Sequence, residues 1–157
     1  MRTFSAICLA MILFMELSCQ QQPATLTAAQ KAEIEKQLRE QWNVYLKAAN
    51  GLDFNKMVTL YSDNQFLGYF GDARYALISC QAFRDSLQSW FNRRAQQKVE
   101  STLVTIHVLK PDIALLLYIG HFTTVGKTGK QHQYECAETF VFIKENVEWK
   151  IIHEHES

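Results

Sequence analysis

His153 and His155 stand two residues apart in the last strand-like run of the chain, residues 149–157. Imidazoles titrate near neutral pH, so the pair could move protons. They could also ligate a metal, with Glu138 as a third donor from a neighbouring strand. In an extended strand alternate side chains share a face, which predicts that Trp149, Ile151, His153 and His155 lie together. That face starts apolar and ends polar, as a strand does when it runs from a core into a pocket. The plainer reading is that both imidazoles finish a strand and meet solvent, backbone or ligand. It calls for no metal and no cofactor.

Phenols are frequent. Tyr45, Tyr61, Tyr69, Tyr118 and Tyr134 combine an apolar body with a polar tip, which suits a cavity for a flat, partly polar ligand. Tyr61, at the end of a short helix, is assigned to core packing, as are Trp42, Trp90 and Trp149. Arg93, Arg94 and Lys98 follow a helix end and read as a solvated charge run complementing its dipole. His107, His121 and His132 receive no role.

The elements that must position these groups follow from periodicity. Residues 27–50 carry Ile34, Leu38, Trp42, Tyr45, Leu46 and Ala49 at helical steps, with Thr27 as N-cap and Asn50-Gly51 as stop. Asp53 caps a second short helix. A strand is expected over 65–70, a turn at Gly71-Asp72 and a strand over 73–78. Ser79 caps a third helix over 81–94, and long strands follow over 101–108, 113–124, 133–144 and 149–157. Three helices followed by a strand meander predict an α+β domain: a cone-shaped, curved antiparallel sheet wrapped around three N-terminal helices. The run at 113–119 is apolar on both faces, so the face turned away from the helices predicts a homodimer through the sheet.

Acidic and basic residues balance to a formal net charge of +0, which excludes a nucleic-acid footprint and a polybasic membrane patch. Arg2 precedes an apolar run over 4–15, too short for a membrane span but suited to a secretory signal. Ser18-Cys19 at its end resembles a bacterial lipoprotein cleavage site, although Glu16 stands where that pattern has an aliphatic residue. The expected organisation is a signal peptide over 1–18, lipidation at Cys19, a polar tether over 19–26 and one domain over 27–157. Export to the bacterial cell envelope follows, with membrane contact only through the lipid on Cys19. Cys80 and Cys136 would then remain in the body. They could pair in an oxidising compartment, but two separate thiols is the preferred reading.

Taken in order, Trp42-Asn43-Val44-Tyr45, Gly51-Leu52-Asp53-Phe54, Leu60-Tyr61-Ser62-Asp63 and Trp149-Lys150-Ile151 with His153 and His155 resemble the nuclear transport factor 2-like superfamily in its SnoaL-like branch. The resemblance implies a cystatin-like roll with a pocket between sheet and helices, and frequent dimers. Members include isomerases, cyclases, dehydratases and proteins with no known reaction. By comparison with the ketosteroid isomerases, Tyr45 stands where the oxyanion-hole phenol would be. The catalytic base position holds Tyr69, and the second oxyanion donor falls near Thr139, one residue from Glu138. The isomerase set is therefore incomplete, and steroid isomerisation is rejected.

The expected pocket residues are Tyr45, Tyr69, Tyr118, Glu138, His153 and His155, around a small and largely apolar ligand. The alternatives are an enzyme of the same fold, in which His153 or His155 carries a proton and Tyr45 steadies an oxyanion, and a non-catalytic module binding a partner through its outer sheet face.

Overall fold

A computed structural model describes residues 25–71 and 75–157, without the side chain of Tyr75. The expected signal peptide, the lipidation site Cys19, most of the tether and Asp72 of the expected turn lie outside these residues.

Helix α1 (Ala28–Asn50) opens on a reciprocal cap. Gln30 N donates to Thr27 Oγ1 at 3.2 Å, and Thr27 N donates to Gln30 Oε1 at 2.9 Å. Its inner stripe buries Ile34, Leu38, Trp42, Tyr45, Ala48 and Ala49, one face of a helical period. Asp53 accepts from Lys56 N at 2.9 Å and starts α2 (Phe54–Val58), which buries Met57. Ser79 caps α3 (Cys80–Arg93), which turns Phe83, Leu87 and Phe91 inward.

The strands are β1 (Gly68–Gly71), β2 (Tyr75–Leu77), β3 (Arg94–Lys110), β4 (Ile113–Gly126), β5 (Gln131–Glu145) and β6 (Glu148–Glu156). They form one sheet in the order β2-β1-β6-β5-β4-β3. The sheet is antiparallel as expected except where β1 runs parallel to β6. Strand β3 begins at Arg94, ahead of the expected 101, because its polar first half still ladders onto β4.

Bulges bend this sheet. In β3 the register shifts between Ser101 and Leu103, and the inward residues change from Gln97 and Val99 to Ile106. Such an extra residue increases the local twist and curves the strand. The sheet thereby closes over α1 and α3, as the sequence predicts. Trp42 stacks on Tyr45 with ring centroids 4.7 Å apart, and Phe140 meets both rings edge-on. Trp149 Nε1 donates to Gln37 Oε1 at 3.1 Å, and Gln41 Nε2 donates to the Trp149 carbonyl at 3.1 Å, pinning the start of β6 to α1. Cys80 and Cys136 are separate free thiols, in keeping with the preferred reading.

Candidate functional site

The site is decided by one residue in β6. Phe142 pairs with Ile151 and Val141 pairs with His153, so Ile152 is an extra residue without a register partner. Before it, Trp149 and Ile151 face the core. After it the alternation restarts one residue late. Glu154 pairs with Phe140, and Glu156 with Glu138, on the inner face. Glu154 is 5% exposed, whereas His155 is exposed to solvent.

This corrects the expected face. His153 and His155 do not share a surface with Trp149 and Ile151, because the bulge at Ile152 reverses the strand's parity. His153 lies across the sheet from the cavity with its ring 5.5 Å from that of Phe70, and burial lowers its pKa. Neither histidine lines the cavity.

What replaces them is a cluster of carboxyls. A cavity of about 200 Å³ opens between sheet and helices, and Glu138, Glu154 and Glu156 line it. Tyr61 Oη donates to Glu154 Oε2, and Tyr45 hydrogen-bonds to Tyr61 behind it. Tyr69 Oη donates to Glu156 Oε2 at 2.5 Å. Cys136 Sγ donates to Glu138 Oε1 at 3.1 Å, while Glu138 Oε2 is buried with no hydrogen-bond partner. The remaining walls are aromatic. Phe83 sits 4.5 Å from Tyr61 and 5.7 Å from Tyr69, and Trp90 is 5.5 Å from Tyr69. Arg94 and Gln97 reach the cavity from β3, where Arg94 donates to Gln97 Oε1.

Burial governs the electrostatics. Removal from water pushes the Glu138 carboxyl up to about 8, with the neighbouring Glu156 adding to the shift against the Cys136 hydrogen bond. Glu154 is held well above the ordinary carboxyl range by burial and then by the charge of Glu138. The same desolvation raises the phenols of Tyr45, Tyr61 and Tyr69 and the thiol of Cys136, and moves Tyr134 to about 12. At neutral pH the site thus holds neutral phenols, a neutral thiol and, in Glu138 and Glu154, two carboxyls that retain protons. A carboxyl titrating near neutrality can both donate and accept a proton.

Of the expected pocket residues, Tyr45, Tyr69 and Glu138 meet on the cavity. The face of Glu138, rather than Thr139, is the inner one. Tyr118 is buried directly across the ladder from Glu138 but stands behind the lining. Its hydroxyl lies over Gly120, where a Cβ would come within 1.8 Å of it, so only glycine fits. Tyr61, assigned to packing, and Trp90 are lining residues, and Glu154 and Glu156 were not foreseen. The signal for both acids was the adjacent pair Ile151-Ile152, which breaks strict alternation. A metal, if one entered, would meet Cys136, Glu138 and Glu156, whose donor atoms lie within 4.8 Å of one another. Neither terminal histidine belongs to that group.

Known proteins match this architecture. A nuclear transport factor 2-like superfamily protein of Salmonella enterica serovar Typhimurium superposes with a TM-score of 0.73 at 19% identity, over 81% of this chain and 92% of that one. A hexachlorocyclohexane dehydrochlorinase of Novosphingobium barchaimii gives 0.69 at 7% identity, over 83% and 90%. A nuclear transport factor 2-like protein of unknown function from Pseudomonas putida gives 0.68 at 16% identity, over 80% and 87%. At these identities the likeness is one of fold. No curated protein matches the chain. The family model for the SnoaL-like domain matches residues 38–157, and the chain belongs to that family.

Proposed function

We propose that this domain binds a small, largely apolar molecule in its cone, with one polar group of the ligand set against Glu138. The observation that carries the reading is an aromatic-walled cavity of about 200 Å³ lined by the buried Glu138, whose carboxyl has one oxygen without a hydrogen-bond partner. Buried polar atoms are normally satisfied, so a carboxyl in the cavity wall with an unpartnered oxygen leaves a hydrogen bond for a ligand to supply. A void of about 150 Å³ holds a benzene ring, so this one suits a ring with a short substituent. The fold is shared with a dehydrochlorinase whose named compound is a compact ring, in keeping with that size.

A second reading is favoured by the titration of Glu138 near neutrality. In it the bound molecule is a substrate, and Glu138 carries the proton of an elimination or isomerisation in place of His153 or His155. Tyr45, joined to Glu154 through Tyr61, then holds the acid cluster in place and does not act as an oxyanion donor.

Titration with 2-phenylethanol, followed by Trp90 fluorescence in a Trp42→Phe, Trp149→Phe background, tests the cavity. A saturable change is expected, abolished by filling the void with Leu87→Trp. An unresponsive Trp90, across ring alcohols and ring ketones alike, would refute the binding reading. Exchange of solvent deuterium into cyclohexanone, lost in Glu138→Gln, is expected if the proton-transfer reading holds.

Two further proposals come from the sequence. The outer sheet face, where Leu103 pairs with Ile119 and both are exposed, is proposed to meet a second copy. Export and lipid anchoring are proposed for Cys19. Cys19→Ser is expected to shift the protein from the membrane to the soluble fraction.

A further inference from the structure

We propose that the cavity's ligand is an organic cation: an ammonium group on a small, ring-bearing apolar body, with Glu138, Glu154 and Glu156 as its counter-charge. This inference rests on the binding reading above and adds the chemical class of the ligand.

The first argument is a charge imbalance. Three carboxyls face one cavity from adjacent strands, and Glu138 and Glu156 stand directly opposite in the ladder. Among the described lining residues Arg94 is the one formal cation, and its guanidinium is turned to Gln97. No described ion pair joins it to any of the three acids. Acids gathered away from water without a cation are costly unless protonated or matched by an incoming charge.

The second argument counts hydrogen-bond donors. Tyr61 serves Glu154, Tyr69 serves Glu156, and a thiol, the weakest donor of the set, serves Glu138. Glu138 is 4% exposed and its Oε2 has no partner. An ammonium brings up to three N–H donors on one centre, whereas a ligand hydroxyl brings one.

The third argument is the wall. Tyr61, Tyr69, Phe83 and Trp90 pack around the same void, and the faces of such rings attract cations. A bare metal ion would make no use of these rings and would leave most of a 200 Å³ space empty. An ammonium on a ring-sized body uses both the carboxyls and the aromatic wall.

The groups facing Glu138 fix the pH behaviour. They are Cys136 and Tyr134 on its own strand, Glu154 and Glu156 on β6, Tyr118 on β4, Tyr69 on β1, Tyr45 on α1 and Tyr61 after α2, while Arg94 on β3 lines the same cavity with its guanidinium on Gln97. The phenols and the thiol stay neutral well above pH 8. Cation binding therefore draws its proton from the acids, with Glu138 the group that titrates at about 8.

Three probes of matched shape test the idea on the full chain by calorimetry: phenethylamine, 2-phenylethanol and 3-phenylpropanoate. At pH 8.5 the amine is expected to bind about tenfold or more tighter than the alcohol, and the anion weakest of all. At pH 7, buffers of different ionisation enthalpy are expected to reveal proton release with the amine and none with the alcohol. Glu138→Gln is expected to lower the amine-to-alcohol ratio severalfold and to reduce the proton release to what Glu154 supplies. Glu156→Gln, which leaves Glu138 in place, is expected to lower the ratio part of the way. An alcohol that binds as tightly as the amine overturns the cation assignment and leaves the cavity reading standing. Absence of binding by all three removes both. Saturable Zn²⁺ uptake that needs Glu138 and that phenethylamine cannot displace would give the carboxyls to a metal and overturn the proposal.

Discussion

Glu138 concentrates the chemistry of this protein in one side chain. Its carboxyl is buried, receives one hydrogen bond from a thiol, and faces a second acid across the ladder. Removal from water raises its pKa from 4.5 to about 8, and the sign of the consequence for stability follows. Between those two values the folded protein keeps a proton that the unfolded chain has lost. Stability is therefore fully present below about pH 4.5 and is lost as pH rises through 8. Glu154, raised by the same burial, contributes with the same sign. Thermal unfolding is expected to show a fall in stability across this window of a few kcal/mol at most. In Glu138→Gln the fall is expected to be shallower, since an amide of the same shape carries no charge to bury. An equal slope in wild type and variant would mean that Glu138 titrates as an ordinary surface acid.

At the scale of elements, the extra residue Ile152 decides which half of β6 reaches the cavity. Deleting it removes the extra residue and leaves the parity as it is: with Trp149 and Ile151 inward, unbroken alternation still turns Glu154 and Glu156 to the inner face and His153 and His155 outward. The variant is therefore expected to keep the downward pH slope of stability and the Tyr61–Glu154 hydrogen bond, as thermal unfolding at pH 5 and pH 8 would show. Loss of the slope would show that the acids need the bulged backbone itself and not only the parity that it sets. The same residue marks how far the sequence can be read. Helical stripes such as Ile34, Leu38, Trp42 and Tyr45 are local and repeat over several turns, so α1 and its buried face were legible. So were Tyr45, Tyr69 and the inner-facing Glu138, which depend on unbroken stretches of periodicity. The terminal histidines were misplaced because a bulge is one insertion in the ladder. Its position depends on the partner strand, here on Val141 and Phe142 of β5, as much as on β6 itself. Tyr61 was hidden for a similar reason: its role is set by Glu154, far along the chain and on the face that the bulge exchanged.

At the scale of the whole molecule, the sheet has two faces with different demands. The inner one holds the core and the cavity. The outer one carries Leu103 and Ile119 in direct register, 49% and 42% exposed, beside the half-buried Leu115, Leu117 and Val141. A sheet packed on one side commonly turns polar residues to water on the other, and this apolar patch departs from that rule in the middle of the longest strands. A second copy meeting it face to face would bury the same residues from both partners, the self-complementary arrangement of a two-fold dimer. The cavity's lining does not include Leu103 or Ile119, so association through them would leave its walls unchanged. Light scattering at micromolar concentration is expected to give twice the chain mass for the wild type and the monomer mass for Ile119→Lys, whose charge would have to be buried without a partner. Ligand affinity in that variant is expected to stay within about twofold of wild type, because Ile119, although paired with Ala137 next to Glu138, turns its side chain to the face away from the cavity. A wild-type monomer under these conditions would leave the outer face without a self-partner. A large loss of affinity in Ile119→Lys would instead show that the outer face supports the shape of the cavity.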